Sequence, residues 1–223
     1  GIYESKLFKI LMNNIEKSTK EFKVAFLPSY TGVKIRISKK NHYITDQRLC
    51  CFKKEISQKI EKYIYGYNDD KIQNIVINKI KEKKYTLSVA ESCTGGLISK
   101  MITDVSGSSK CFVGGIVAYS NMIKEEFLSV PNSLITKKGA VSKEVAIKMA
   151  EGIKKKFNTD IGIGITGISG PRNIEKDKEV GIVHIGIKIK NKTIVRSFNI
   201  IKNRDLHRQI SAHSTLNMLR LIL

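Results

Sequence analysis

Tryptophan is absent from the 223 residues, and there are only three prolines, four cysteines and four histidines. Each scarcity excludes something. Cys50, Cys51, Cys93 and Cys111 form no C-x-x-C pair, and no histidine cluster accompanies them. That argues against a zinc site and against a disulfide framework, so no metal is expected. No apolar run reaches the about 18 residues of a membrane-spanning helix. The first residues, Gly1-Ile2-Tyr3-Glu4-Ser5, carry no signal-peptide pattern. The expectation is a reduced, cytoplasmic protein with no membrane partner. Acidic residues are scarce too: 20 Asp and Glu stand against 40 Lys and Arg, a formal charge of +20. Only seven of the basic residues are arginine, and the excess is spread, net +8 over residues 1–67 and net +12 over 68–223. Such a spread predicts weak, salt-sensitive nucleic-acid binding in vitro; nucleic acid is not the favoured physiological partner.

An apolar fraction of 41% is enough for a real core. Residues 4–18 read as a helix with Leu7, Ile10, Leu11 and Ile15 on one face. Phe22–Leu27 reads as a strand and Pro28–Gly32 as a turn. Val33, Ile35 and Ile37 then alternate with Lys34, Arg36 and Ser38, the pattern of a half-buried strand. A helix over 47–64 completes a small αββα unit. The run Tyr65–Asp70 supplies Gly, Asn and Asp between two helical patterns, and a domain boundary is placed there, giving 1–67 and 68–223. Beyond it the expected elements are a helix at 71–83, strands at 86–90 and 111–120, a short helix from Asn121, and a helix capped by Ser142. A strand at 161–167, a hairpin over 180–200 turning at Asn191-Lys192, and a last helix at 203–222 follow. Alternation of strands and helices predicts an α/β (α+β) fold with a mixed, partly parallel sheet flanked by helices.

The stretch Ser88-Val89-Ala90-Glu91-Ser92-Cys93-Thr94-Gly95-Gly96 runs from a buried strand into a helix that begins near Leu97. Such a turn sets hydroxyls at the carboxyl edge of a sheet, where α/β proteins bind ligands, and aims helix N-terminal N–H groups there. Ser92 could then hold an anion or serve as a nucleophile beside oxyanion donors. Helix capping by Ser or Thr, with glycines serving the turn, explains the same residues without chemistry. Cys93 is the rival nucleophile; being adjacent to Ser92, it should point the opposite way. His184, His207 and His213 are read as structural. A lysine could activate Ser92 instead, but spacing alone does not single one out. Arg204 and Arg208, one helical turn apart, could hold a phosphate or carboxylate, or lie on a solvated face. Gly162–Gly167 matches G-x-G-x-x-G, but it lies within a strand and no helix follows, so a dinucleotide site is not expected.

Five motifs, in order, carry a resemblance: Ala90–Gly96, Ser106–Ser109, Tyr119-Ser120-Asn121 with Lys124, Gly139–Ser142, and Thr166–Pro171. Together they resemble the C-terminal domain of the competence/damage-inducible protein CinA, the nicotinamide mononucleotide deamidase of bacterial pyridine nucleotide salvage. Residues 1–67 resemble the KH-like module of the same family. The longer members begin with a nucleotide-binding domain that is absent here, which leaves open a fragment or a relative without it. The resemblance implies a Ser–Lys amidohydrolase acting on a small nucleotide, with no cofactor and a tendency to form homo-oligomers such as dimers. By motif, Ser92 is the nucleophile, Lys124 its general base, and Tyr119 their neighbour. Thr166, Gly167 and Arg204 contact substrate, and N–H groups near Cys93, Thr94 and Gly95 hold the oxyanion.

The sequence departs from the family pattern at Arg172–Glu175, where a Gly-rich loop is usual, at Gly181-Ile182-Val183 and at Lys202-Asn203. These changes fall around the substrate and leave the Ser–Lys pair intact. The charged segment 172–179 is expected to be a mobile loop over the site. The rival reading is a non-catalytic module that binds nucleotide or nucleic acid. Against it, residues 1–67 contain no Gly-x-x-Gly loop of the kind a KH domain uses to clamp a nucleic-acid backbone. A second rival is a structural role in docking a further domain.

Overall fold

A computed structural model describes residues 2–171 and 178–223. Two compact units divide at Asp69/Asp70. The first is helix α1 (Glu4–Lys17), strands β1 (Phe22–Ser29) and β2 (Gly32–Lys39), and helix α2 (Asp46–Ile60). The strands pair antiparallel from Phe22↔Lys39 to Ser29↔Gly32. Leu7 and Leu11 of α1 meet Phe52, Ile56 and Ile60 of α2 over Phe22. The rings of Phe22 and Phe52 are stacked with centroids 4.6 Å apart. The turn expected at Pro28–Gly32 is tighter than the sequence suggests. Pro28 and Ser29 remain in β1, because in a two-stranded ribbon each strand has an open side where a missing N–H leaves no bond unmade. Thr45 caps α2 by accepting the N–H of Arg48, and the helix gives way after Ile60 to a single 3₁₀ turn, Glu61–Tyr63.

The second unit is a five-stranded sheet in the order β4-β3-β5-β6-β7. Its strands are β3 (Leu87–Glu91), β4 (Phe112–Val117), β5 (Ile161–Gly167), β6 (Ile182–Ile189) and β7 (Lys192–Asn199). β3 is parallel to both β4 and β5, while β6 and β7 are antiparallel additions. The three parallel strands therefore end at one edge, with β3 between the other two. Its helices are α3 (Ile72–Glu82), α4 (Leu97–Thr103), α5 (Asn121–Leu128), α6 (Asn132–Lys138), α7 (Lys143–Phe157) and α8 (Arg204–Ile222). Helix α6 was not expected: its seven residues hold only Leu134 and Ile135 as a face, too short a run to show periodicity. The strand expected at 111–120 is confined to Phe112–Val117, and the hairpin turns at Lys190-Asn191, with Lys190 at φ 48.

β3 is buried at every position. Its even residues face α7, as Ser88 shows by bonding the carbonyl of Ile153. Glu91, on the opposite face, meets α4. The α7 side of the sheet closes over Ala90, Ala118, Leu128, Val130, Val145, Met149 and Ile153. The glycines of β5 serve this packing. A Cβ on Gly164 would stand 2.4 Å from the carbonyl oxygen of Ala146, and one on Gly162 would stand 2.2 Å from that of Ala150. The G-x-G spacing thus brings a helix close to a strand and has nothing to do with phosphate. Among the described residues no helix is long and apolar enough to cross a membrane. Residues 172–177, where a mobile loop was expected, lie outside the described residues.

Candidate active site

The peptide joining Glu91 to Ser92 is held from both sides. Its carbonyl accepts the N–H of Ala118 at 2.7 Å, and its N–H donates to the carbonyl of Ile165 at 3.1 Å. The end of β3 is thereby clamped between the ends of β4 and β5. Continuing the strand's alternation sends Ser92 to the α5/α7 face and Cys93 to the other. Ser92 is buried, 8% exposed, and caps no helix.

The cap of α4 is Glu91. Its carboxylate accepts the N–H groups of Gly96, Ile98 and Ser99 at 3.0, 3.0 and 2.8 Å, and the hydroxyl of Ser99 at 2.7 Å. This corrects the expectation that the helix N-terminus aims free donors at a ligand: the charge that end prefers is supplied from within. The oxyanion donors narrow as well. The N–H of Gly95 bonds the carbonyl of Ser92, whereas those of Cys93 and Thr94 donate to no backbone carbonyl among the described residues; the Cys93 N–H faces its own thiol. Two N–H groups directly after Ser92 that no carbonyl takes are what a tetrahedral oxyanion requires. Glu91 escaped the sequence reading because it ends a strand five residues ahead of Gly96; the signal was an acidic residue shortly before a helix.

Lys124 reaches the same edge from α5. Ser120 caps that helix by accepting the N–H of Ile123, which sets Lys124 one turn in. Helical side chains point back toward the N-terminus. Its Nζ therefore meets the carbonyls of Ala118, Tyr119 and Ser120 at 2.9, 3.3 and 3.4 Å. Lys124 is 2% exposed. It lies one peptide unit beyond the Ala118–Glu91 bond that anchors Ser92. The neighbouring Cys93 thiol is pushed up to about 12 by burial; its own backbone N–H opposes the rise, Glu91 adds to it, and the Lys124 and Arg208 side chains oppose it. A thiol so placed is a poor nucleophile at neutral pH.

The remaining expected residues divide. Arg204 spans the mouth of the site, donating to the carbonyl of Gly170 at 2.8 Å and the Tyr119 hydroxyl at 3.0 Å. Arg208 is not on a solvated face: Nε and Nη2 both bond the carbonyl of Thr94, at 3.2 and 3.0 Å. The hydroxyl of Thr94 is buried without a partner among the described residues. Thr166 is buried and donates to the carbonyl of Ala140 at 2.9 Å. Gly167 is not open to a ligand on its side-chain side. A Cβ there would lie 2.7 Å from the carbonyl oxygen of Ile182 and 3.1 Å from Cys93 Sγ. His207 is structural, pairing its Nδ1 with the Ser169 hydroxyl at 2.9 Å. A cleft of about 590 Å³ lies beside Ala140, lined by Asn121, Glu125, Lys137, Lys138 and Lys178 among others.

Comparison with known proteins decides the lineage. Residues 69–223 match the CinA C-terminal domain, and residues 1–66 match the damage-inducible protein CinA KH domain. The chain belongs to the CinA family. It is 40% identical over 228 residues to a CinA-like protein of Prochlorococcus marinus subsp. pastoris, covering 100% of this chain and 52% of that one. It is 40% identical over 180 residues to a CinA-like protein of Kosmotoga olearia, covering 81% and 44%. The chain thus spans about half the length of the CinA relatives it matches. Among solved structures, the competence/damage inducible protein CihA of Agrobacterium tumefaciens is 32% identical with a TM-score of 0.64, covering 66% of this chain and 91% of that one. A CinA superfamily protein of Escherichia coli has a TM-score of 0.68 over 74% of this chain and 98% of that one; at 24% identity it shows the fold.

Proposed function

We propose that this CinA-family chain is an amidohydrolase that converts nicotinamide mononucleotide to nicotinate mononucleotide and ammonia. The observation that carries the reading is the buried Lys124 amine, set on the carbonyl of Ala118 at the sheet edge that also presents Ser92. Ser92 Oγ attacks the carboxamide carbon while an uncharged Lys124 Nζ takes the hydroxyl proton. The oxyanion of the tetrahedral intermediate accepts from the Cys93 and Thr94 N–H groups. The C–N bond breaks as Lys124 returns its proton to the leaving nitrogen, and ammonia departs. Water, deprotonated by the same amine, then cleaves the ester and frees the carboxylate, and the amine hands that proton to the departing Ser92 Oγ. The chemistry draws only on side chains and backbone donors. The cleft beside Ala140 is lined by neither Ser92 nor Lys124; its three lysines suit a nucleotide phosphate rather than the reacting carboxamide.

The test is ammonia release from nicotinamide mononucleotide by the parent, Ser92→Ala and Lys124→Ala. Release by the parent with at least about a hundredfold loss in both variants is expected. A folded parent that releases no ammonia overturns the reading in favour of a binding module. Release that survives in Ser92→Ala but is lost in Cys93→Ala would transfer the nucleophile's role to the thiol.

A further inference from the structure

Arg208 directs its charge at an amide. Arg48, by contrast, pairs with the carboxylates of Glu21 and Glu55. The Nε and Nη2 groups of Arg208, on α8, both donate to the carbonyl of Thr94, at 3.2 and 3.0 Å. Gly95 permits the approach: its φ is +58°, and a Cβ on it would stand 3.3 Å from Arg208 Nη2. The carbonyl of Thr94 and the N–H of Gly95 belong to one planar peptide. That N–H donates to the carbonyl of Ser92 at 3.1 Å. The carbonyl of Ser92 in turn shares a peptide with the N–H of Cys93, the first of the oxyanion donors. Two peptide units therefore stand in series between the guanidinium and the oxyanion position, joined by a hydrogen bond and polarised in the same sense.

We infer that Arg208 is the positioning residue of the oxyanion hole, acting through these two peptides on the Cys93 N–H; the inference rests on the hydrolase reading above. A hydrogen bond from a charged donor is about twice as strong as a neutral one, and bonds in series reinforce one another by roughly 10–30% each. Electron withdrawal at the Thr94 carbonyl makes the Gly95 N–H a stronger donor, and the gain passes through the Ser92 carbonyl to the Cys93 N–H. The Thr94 N–H lies on the peptide between these two, so fixed neighbours on both sides set its direction. A positive group has a reason to stand here. The turn begins at the buried carboxylate of Glu91, which caps α4 and whose charge opposes an oxyanion beside Ser92. Arg208 offsets that charge from α8 without touching substrate.

Nuclear magnetic resonance on the isotope-labelled 223-residue chain tests the relay apart from turnover. Arg208→Met removes the charge at similar length, and Arg208→Lys keeps it. With circular dichroism unchanged, the Gly95 and Cys93 amide protons should move upfield in Arg208→Met and lie nearer the parent's positions in Arg208→Lys. The Val145 amide, bonded to the Ser142 cap of α7, should stay in place in both. Arg208→Gln, neutral but still a donor, replaces Arg208→Met if the latter does not fold. In ammonia release from nicotinamide mononucleotide, Arg208→Met should lose about tenfold in kcat with KM little changed, less than the roughly hundredfold or more of removing a donor outright. Arg208→Lys should stay within about threefold of the parent. Gly95 and Cys93 amides that do not move in the neutral variant, or that move alike in both variants, overturn the relay whatever the activity. Shifted amides with kcat intact overturn its part in the reaction. A parent that releases no ammonia sinks the hydrolase reading instead, and the amide shifts then still decide whether Arg208 acts on the Cys93 N–H.

Discussion

Lys124 Nζ stands 2.9 Å from the carbonyl oxygen of Ala118, inside the protein and one peptide from the bond that anchors Ser92. A buried amine held by backbone acceptors supports structure and chemistry at once. Lys124→Met keeps the volume and removes both roles. Ammonia release should fall by at least about a hundredfold. Thermal unfolding should show a loss of about 1–3 kcal/mol, since the freed carbonyls stay buried. A variant as stable and as active as the parent would remove Lys124 from the site.

Cys93 should be silent. Its thiol, pushed up to about 12 chiefly by burial, stays protonated at mildly alkaline pH, where iodoacetamide should label the exposed Cys50 and Cys51. Peptide mass spectrometry reads the order of labelling. Cys93→Ala should keep ammonia release within about threefold of the parent, a change that separates packing from chemistry.

Glu91 acts on the turn rather than on substrate. Glu91→Gln keeps the shape but turns an amide NH₂ toward the N–H groups that one carboxylate oxygen now serves. It should destabilise the fold by about 3 kcal/mol, from several buried donors left unpaired. The folded protein should also lose kcat with KM little changed, because Ser92 and the Cys93 and Thr94 donors lose their alignment. Loss of stability with kcat intact would make Glu91 a structural cap alone.

Gly164→Ala tests the packing of β5 on α7. The added methyl would sit 2.4 Å from both the Ala146 carbonyl oxygen and the Ala150 N, backbone atoms that cannot turn aside. About 3 kcal/mol or more of destabilisation is expected in denaturant titration, the upper range for overpacking. Gly32→Ala, where no atom lies within 4 Å but φ is 157°, should be far milder.

Stability should fall on mild acidification. Burial lowers the pKa of His207, partly offset by the carbonyls of Gly181 and Ile182, and burial lowers His213 too. The unfolded chain therefore binds protons first, at about pH 6.5. Stability is complete above that pH and is lost as pH drops through it toward the lower folded values. Melting temperature against pH should decline from about 6.5 downward, less steeply in His207→Gln.

The architecture was legible where local pattern and tertiary demand agree. The alternation of Val33, Ile35 and Ile37, the apolar run of β5 and the Ser142 cap, which accepts the N–H of Val145, all express structure that neighbours in sequence can specify. What escaped depends on contacts between distant segments. Glu91 looked like the first residue of a turn, and its role appears only once α4 folds back over it. Arg208 looked like surface until α8 brought it to the carbonyl of Thr94. The glycines of β5 were set aside as a phosphate loop for lying within a strand, but their real use stayed hidden because their neighbour, α7, comes from elsewhere in the chain. Ser92 and Lys124 were read by family resemblance; spacing could not choose among so many lysines.

The position of α8 in the chain has a consequence for synthesis. Ser92 and Lys124 leave the ribosome well before Arg204 and Arg208, the residues that tie Tyr119, Gly170 and Thr94 together. A nascent chain holds its reactive groups before the brace that fixes their surroundings. Emergence of α8 is thus the event that finishes the pocket, and a product cut short before α8 is born without it.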